Sequence, residues 1–274
     1  MKKIYIILSV ALAAAACSGK LSLPEQPDMP DSRTFEISAE VSSYSGEFLW
    51  NPGMSIGVYG SVLGSNARYV PYNEYIGKSG VVRMYGPEVE GNLNAYYPYR
   101  AEGYEAVASG RVPYASVQAY RPSAAGHFTE NTVLVASQED GVFDFAIRSG
   151  LVKFEVDVDY VGEVKSVVLV SGLNYLSGNF AIDPEDEQPV TDGGNTLTVR
   201  GMGIQSGKFD VFFALPAGSY ETLQLTVHTD GVSVTKPVNG VVPVRAGEVT
   251  SMTAVDETYE YTGSDFIIIP GIFD

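Results

Sequence analysis

Past residue 34 the chain keeps a steady beat. Short runs rich in Val, Ile, Tyr and Phe are broken by Gly, Pro, Asn or Asp roughly every 8–12 residues, with almost no helical apolar period. Phe35, Ile37, Ala39 and Val41 alternate with Glu36, Ser38, Glu40 and Ser42, which predicts a first strand with one buried face. Ser55 to Tyr59, Leu93 to Tyr99, Lys153 to Val158, Asp210 to Leu215 and Leu223 to His228 read as further strands. Val164 to Val170 is mostly Val and Leu, the pattern of a strand covered on both sides. Asp230-Gly231 is a two-residue hairpin signal, because both turn positions need positive φ; Asn239-Gly240 and Asp140-Gly141 are others. The beat therefore predicts an all-β fold. A body of about 240 residues is long for one sandwich and ample for two. The expected division is residues 34–140 and 141–256, followed by an apolar stretch at 257–274.

The start of the chain is a leader rather than part of that body. Lys2 and Lys3 precede a short apolar run from Ile4 to Leu12, and Ala13 to Ala16 lead directly to Cys17. The run is shorter than the roughly 20 residues of a membrane-spanning helix. Small residues running into the chain's single cysteine fit a lipobox, with Ala in place of the more usual Leu three residues before it. In that reading Cys17 is the lipidation site and residues 1–17 hold the lipoprotein signal and its cysteine. Secretion with an unpaired thiol is the alternative. Residues 18–33 carry three prolines and no apolar period, and read as a disordered tether between lipid and fold.

Composition then removes whole classes of function. The formal net charge is −16, and loss of Lys2 and Lys3 with the leader deepens it, so a phosphate backbone would be repelled and no nucleic-acid partner is expected. With Cys17 acylated no thiol remains for a disulfide or a thiolate metal site. His127 and His228 have no spaced partners, and no nucleophile elbow, phosphate loop or dinucleotide glycine motif stands in a strand-to-helix context. The acidic loop Asp183 to Glu187, with Asp192 nearby, lacks a calcium-ligand spacing and reads as solvated. The expectation is a protein without enzyme activity, cofactor or metal.

Several segments, taken in order, resemble the fimbrillin family of the Bacteroidetes. Trp50 to Tyr59 (WNPGMSIGVY) is similar to the family's W…G-D-x-I-G-V-Y strand, with Met54 where Asp is usual. Asn94 to Tyr99 (NAYYPY) resembles F-x-A-Y-Y-P-Y, and Asn131 to Ala136 resembles D-L-L-x-A. Phe143 to Phe154 is similar to F-x-H-x-x-A-K-L-x-F, with Arg148 near the usual His. Phe213 to Tyr220 and Arg245 to Thr250 match the L-P-G-x-Y and A-G-K-x-Y elements. The resemblance implies two tandem transthyretin-like Greek-key β-sandwiches, export as an outer-membrane lipoprotein, and assembly into a type V pilus on the cell surface. Trp50, Tyr96, Tyr97 and Tyr99 read as core and turn residues ahead of a sugar-binding stack.

The same resemblance implies partners and a mode of joining. Other fimbrillin subunits would bind by strand exchange, in which a protease removes the first strand and a neighbour's C-terminal segment fills the groove. Residues 266–273 (FIIIPGIF) supply a candidate donor strand in Phe266, Ile267, Ile268, Ile269, Ile272 and Phe273, the alternative being a terminal strand packed on its own domain. Pro270 interrupts its hydrogen-bond ladder. Arg33 is the candidate cleavage site, but a cut there would leave the first strand in place, and residues 42–49 offer no Lys or Arg. That departure points toward an uncleaved, lipid-retaining base subunit or a different protease. The lipid would hold the chain to a membrane, and a host or bacterial surface would be the adhesion target. A surface glycan-binding lipoprotein with no pilus role is the competing class; its mark would be an exposed row of Tyr or Trp.

Overall fold

A computed structural model describes residues 35–41, 48–60, 66–101, 109–139, 141–158, 163–181, 191–204 and 207–267. The protein is all-β, built in several sheets. The first strands are β1 (Phe35–Glu40), β2 (Ile56–Tyr59), β3 (Ala67–Pro71), β4 (Val82–Gly86) and β5 (Asn94–Tyr97). Then come β6 (Arg111–Tyr114), β7 (Val117–Ala119), helix α1 (Ala124–Asn131), β8 (Leu134–Glu139), β9 (Val142–Asp144) and β10 (Ala146–Ile147). The chain continues through β11 (Ser149–Val158), β12 (Val164–Ser171), β13 (Ser177–Ala181), β14 (Thr191–Gly194), β15 (Thr196–Ile204) and β16 (Gly207–Pro216). It finishes with β17 (Gly218–Tyr220), β18 (Leu223–Thr229), β19 (Ser233–Pro237), β20 (Val242–Val244), β21 (Glu248–Val255) and β22 (Thr258–Phe266).

The first half is a ladder that returns on itself. Its order is β10-β8-β5-β2-β3-β4-β1-β9, and β9 also pairs with β8. Trp50 fills its centre, edge-on to Phe48 at 5.1 Å, Phe145 at 6.0 Å and Tyr97 at 6.4 Å. Three aromatic edges on one indole bury far more apolar area than an aliphatic residue would. Gly57 is needed beside them, because a Cβ there would run into the Tyr96 ring.

The second half stacks β16-β11-β21-β22 on β19-β18-β12-β15-β7. Val152, Phe154, Val156, Val211, Phe213 and Met252 from the first sheet meet Val167, Leu169, Leu197, Val199 and Leu225 from the second. The period of two sends the alternate residues Leu151, Phe212, Ala214 and Val249 to the opposite face, where they join the core of the first half. The doubly covered strand is therefore β16, not β12. In β12 Val164, Val167 and Leu169 are buried, whereas Val168 and Val170 on its other face are only half-buried.

A crossing strap ties the halves. Although β6 and β7 precede the closing strands of the first half, β6 pairs with β13 and β7 runs parallel to β15. Gln118 at the centre of β7 is buried and reaches the free edge of β16. Its side-chain amide donates to the Ala214 carbonyl at 2.8 Å and accepts the Ala214 N–H at 3.0 Å. One side chain thus does the work of a strand residue, satisfying two backbone groups that would otherwise be buried unpaired. Gln118→Leu keeps the shape and removes both bonds. It is expected to lower unfolding free energy by about 3 kcal/mol, read as a drop in the urea midpoint with unchanged slope.

Candidate functional site

Three places carry the sequence-based expectations: the seat of the first strand, the last strand, and a polar cleft beside α1. β1 sits between two partners, antiparallel to β4 (Phe35↔Gly86, Ala39↔Val82) and parallel to β9 (Ser38↔Val142, Glu40↔Asp144). Ala39 enters the core, and the Phe145 N–H donates to the Glu40 carbonyl at 2.7 Å. On the outer face Glu36 pairs with Arg83 and accepts the Tyr72 hydroxyl at 2.7 Å. The Arg83 hydrogen bond holds the Glu36 carboxyl below the usual carboxylate range, helped by that of Tyr72. β1 is thus an inner strand held along both backbone edges.

At the other end of the chain, β22 is the edge of its sheet and pairs with β21 from Val255↔Thr258 to Glu248↔Phe266. Tyr259 turns inward against Phe154 at 5.1 Å, whereas Tyr261 is exposed. The candidate donor residues divide here. Phe266 is 62 % exposed on β22, and Ile267 is 1 % exposed, packed in the first-half core with its N–H donating to the Gly247 carbonyl at 3.1 Å. Ile268, Ile269, Ile272 and Phe273 lie outside the described residues, as do Cys17, Arg33 and the acidic loop 183–187.

The cleft, of about 570 Å³, is walled by residues 51–55, by Pro98 and Tyr99 after a cis Tyr97–Pro98 bond, and by the first turns of α1. Arg121 and Glu130 form a half-exposed ion pair across it at 2.6 Å. Met54, at the position where the family resemblance would place Asp, accepts the Asn51 N–H on its thioether at 3.0 Å, a weak acceptor in the place a carboxylate oxygen would take. Ser123 caps α1, its hydroxyl accepting the Gly126 N–H at 3.1 Å.

Trp50, Tyr96 and Tyr97 are buried, with the tyrosine hydroxyls donating to backbone carbonyls of Arg100 and Thr129. They form no sugar platform. Among the described residues the exposed tyrosines, Tyr175 and Tyr261, stand on separate elements and make no row. Within the same residues no cluster of three His, Cys, Asp or Glu side chains has metal-site geometry, and no helix is long and apolar enough to cross a membrane.

Beneath the cleft lies a residue that the sequence did not single out for this role. His127 is fully buried against Phe212, and its Nε2 is 2.8 Å from Gln118 Oε1. Because Ala214 fixes which end of the Gln118 amide is which, Oε1 faces the histidine and Nε2 carries the proton. Nδ1 is buried with no hydrogen-bond partner. Burial, and secondarily the charge of Arg121, push the His127 pKa down to about 3.

No family model matches the chain, and no curated protein does either. Solved structures do. A candidate cell adhesion protein from Bacteroides ovatus is similar over 87 % of this chain and 99 % of its own, with a TM-score of 0.51 and 16 % identity. The chain shares the fold of that Bacteroides ovatus protein. The tip fimbrial protein Mfa3 from Porphyromonas gingivalis covers 85 % of this chain and 99 % of its own at 10 % identity and a TM-score of 0.37. A candidate cell adhesion protein from Bacteroides fragilis covers 87 % and 99 % at 10 % identity and 0.39. The Bacteroides ovatus match takes in 87 % of this chain, so the shared fold extends into both halves.

The buried histidine gives this fold a measurable acid limit. Between about pH 6.5 and 3 the unfolded chain binds a proton at His127 that the folded chain refuses, so stability falls as pH falls. His127→Gln, which retains a donor toward Gln118, removes that dependence. Relative to wild type it should gain about 1.4 kcal/mol per pH unit below 6.5, measured by urea unfolding at pH 6.5, 5.5 and 4.5.

Proposed function

We propose that this chain is a cell-surface fimbrial or adhesion subunit without enzyme activity. Lipid at Cys17 anchors it to the outer membrane, and it joins neighbouring subunits by exchanging a β-strand. The observation that carries the reading is the fold, shared across 87 % of this chain with a protein named for cell adhesion. The two halves, in this proposal, are tandem transthyretin-like sandwiches. Two sequence features fit the same reading: the Ala13–Cys17 lipobox and the uncharged apolar residues 266–273. Arg33 precedes β1, and residues 42–49 contain no Lys or Arg, so Arg- or Lys-specific cleavage would leave β1 seated. A lipid-retaining base subunit follows more naturally than a processed stalk subunit. Its partners are other fimbrillin-type subunits on one side and the membrane on the other, with a host or bacterial surface as the adhesion target.

Deleting residues 268–274 tests the joining step. β22 and the buried Ile267 stay, so the monomer should keep its circular dichroism and unfolding midpoint while losing incorporation into surface polymers. Normal incorporation of the truncated chain would overturn the reading. Cys17→Ser tests the anchor: the protein should move from the membrane to the soluble fraction and lose incorporation of a labelled fatty acid.

A further inference from the structure

Strand exchange leaves the cleft beside α1 without a role, and the lining of that cleft is chemically mixed. Met54 and Tyr97 are buried in its wall, Pro98 and Tyr99 are half-buried, and Arg121 and Glu130 stand half-exposed. Among the described residues that line it, Arg121 and Glu130 are the charged ones, and they cancel. Their ion pair is exposed enough to contribute little to the fold, so each side chain can exchange the other for a ligand. Asn51 spends its backbone N–H and carbonyl on the turn with Met54, while its side-chain Oδ1 is buried with no hydrogen-bond partner. A buried acceptor left open beside a cleft is one that a ligand hydroxyl or a bridging water satisfies. We infer that this cleft binds a neutral oligosaccharide, with the Arg121–Glu130 pair taking its hydroxyls and Pro98 and Tyr99 its C–H face.

Charge, shape and size select that chemistry. An anion would meet the Glu130 carboxylate and a cation the Arg121 guanidinium, whereas sugar hydroxyls both donate and accept and so use both groups. The start of α1 gives an anion little help, because its own Ser123 cap already occupies the Gly126 N–H. An extended peptide finds no ladder to join. β2 follows the 51–55 wall and β5 precedes Pro98, and each is paired on both edges. The volume of about 570 Å³ lies within the range of small-ligand sites and leaves room for more than one sugar ring. Trp50, Tyr96 and Tyr97 are buried, and Tyr99 is the aromatic left partly open on the cleft wall. One ring beside an ion pair suits a short saccharide or a chain end; a long polysaccharide laid on a flat face would need a row of rings.

The inference rests on the adhesion reading for its place on the cell and is independent of strand exchange. The full chain carrying Cys17→Ser is applied to a printed panel of neutral oligosaccharides, their sialylated and sulfated counterparts, and unglycosylated peptides, with calorimetry on the saccharide bound best. Neutral saccharides should bind, with the same affinity at low and high salt. Arg121→Ala and Glu130→Gln should each weaken that binding about tenfold with an unchanged circular dichroism spectrum. Lys165→Ala, which removes a different exposed ion pair in the second half, should leave it unaltered. Binding confined to the sialylated and sulfated saccharides, or to the peptides, would overturn the inference, as would neutral-saccharide binding that survives both cleft substitutions. No binding to any member would overturn it too. The adhesion reading is then judged separately, by whether cells lacking the chain lose attachment to host-cell or bacterial surfaces.

Discussion

The structure depends on one sheet whose two faces are both covered. In β11, β16 and β21 the two-residue period divides apolar side chains between two cores. Phe154, Val211, Phe213 and Met252 face the second half, while Leu151, Phe212, Ala214 and Val249 face the first. A sheet used in this way cannot shift by one residue without exchanging every contact on both sides. The halves are therefore held in register by packing as well as by the chain that joins them.

The strap of β6 and β7 completes that arrangement. Gln118 meets the edge of β16 with both ends of its amide and supports His127 with the same oxygen that accepts from Ala214. The Thr132 and Ser149 hydroxyls lie 2.7 Å apart close by, and the Ser149 oxygen also accepts the Val133 N–H. The seam between the halves is thus apolar where sheet meets sheet and polar where the chain passes through. Each of these buried hydroxyls and the Gln118 amide has a defined partner. Such a seam couples the two halves through packed side chains.

Around this rigid centre, the two terminal strands differ in how they are held. β1 is bonded along both edges, and Glu36 ties its outer face to Arg83 and Tyr72. β22 is paired along β21, the Tyr259 carbonyl on its other edge accepts the Asn239 N–H at 2.8 Å, and Ile267, just past its end, is sealed into the first core.

The all-β class and the inward Trp50 and paired tyrosines of Asn94 to Tyr97 were legible from residues alone, whereas Phe35, expected on the buried face of β1, is exposed. Each depends on local rules: side-chain period, turn chemistry, and the burial of large aromatics. The identity of the doubly covered strand was not, because Val164 to Val170 and Asp210 to Leu215 are both apolar runs, and a run does not say what lies against either face. Nor could the crossing of β6 and β7 be read, since three residues of Val-Gln-Ala carry no strand signal and their partners lie some eighty residues onward in β15. Gln118 and His127 looked like ordinary polar residues until Ala214 was brought beside them. Local propensity thus settled what kind of elements form, and only tertiary packing settled which polar groups meet, because a buried hydrogen bond is selected by the partner the fold delivers and leaves no trace at the position that makes it.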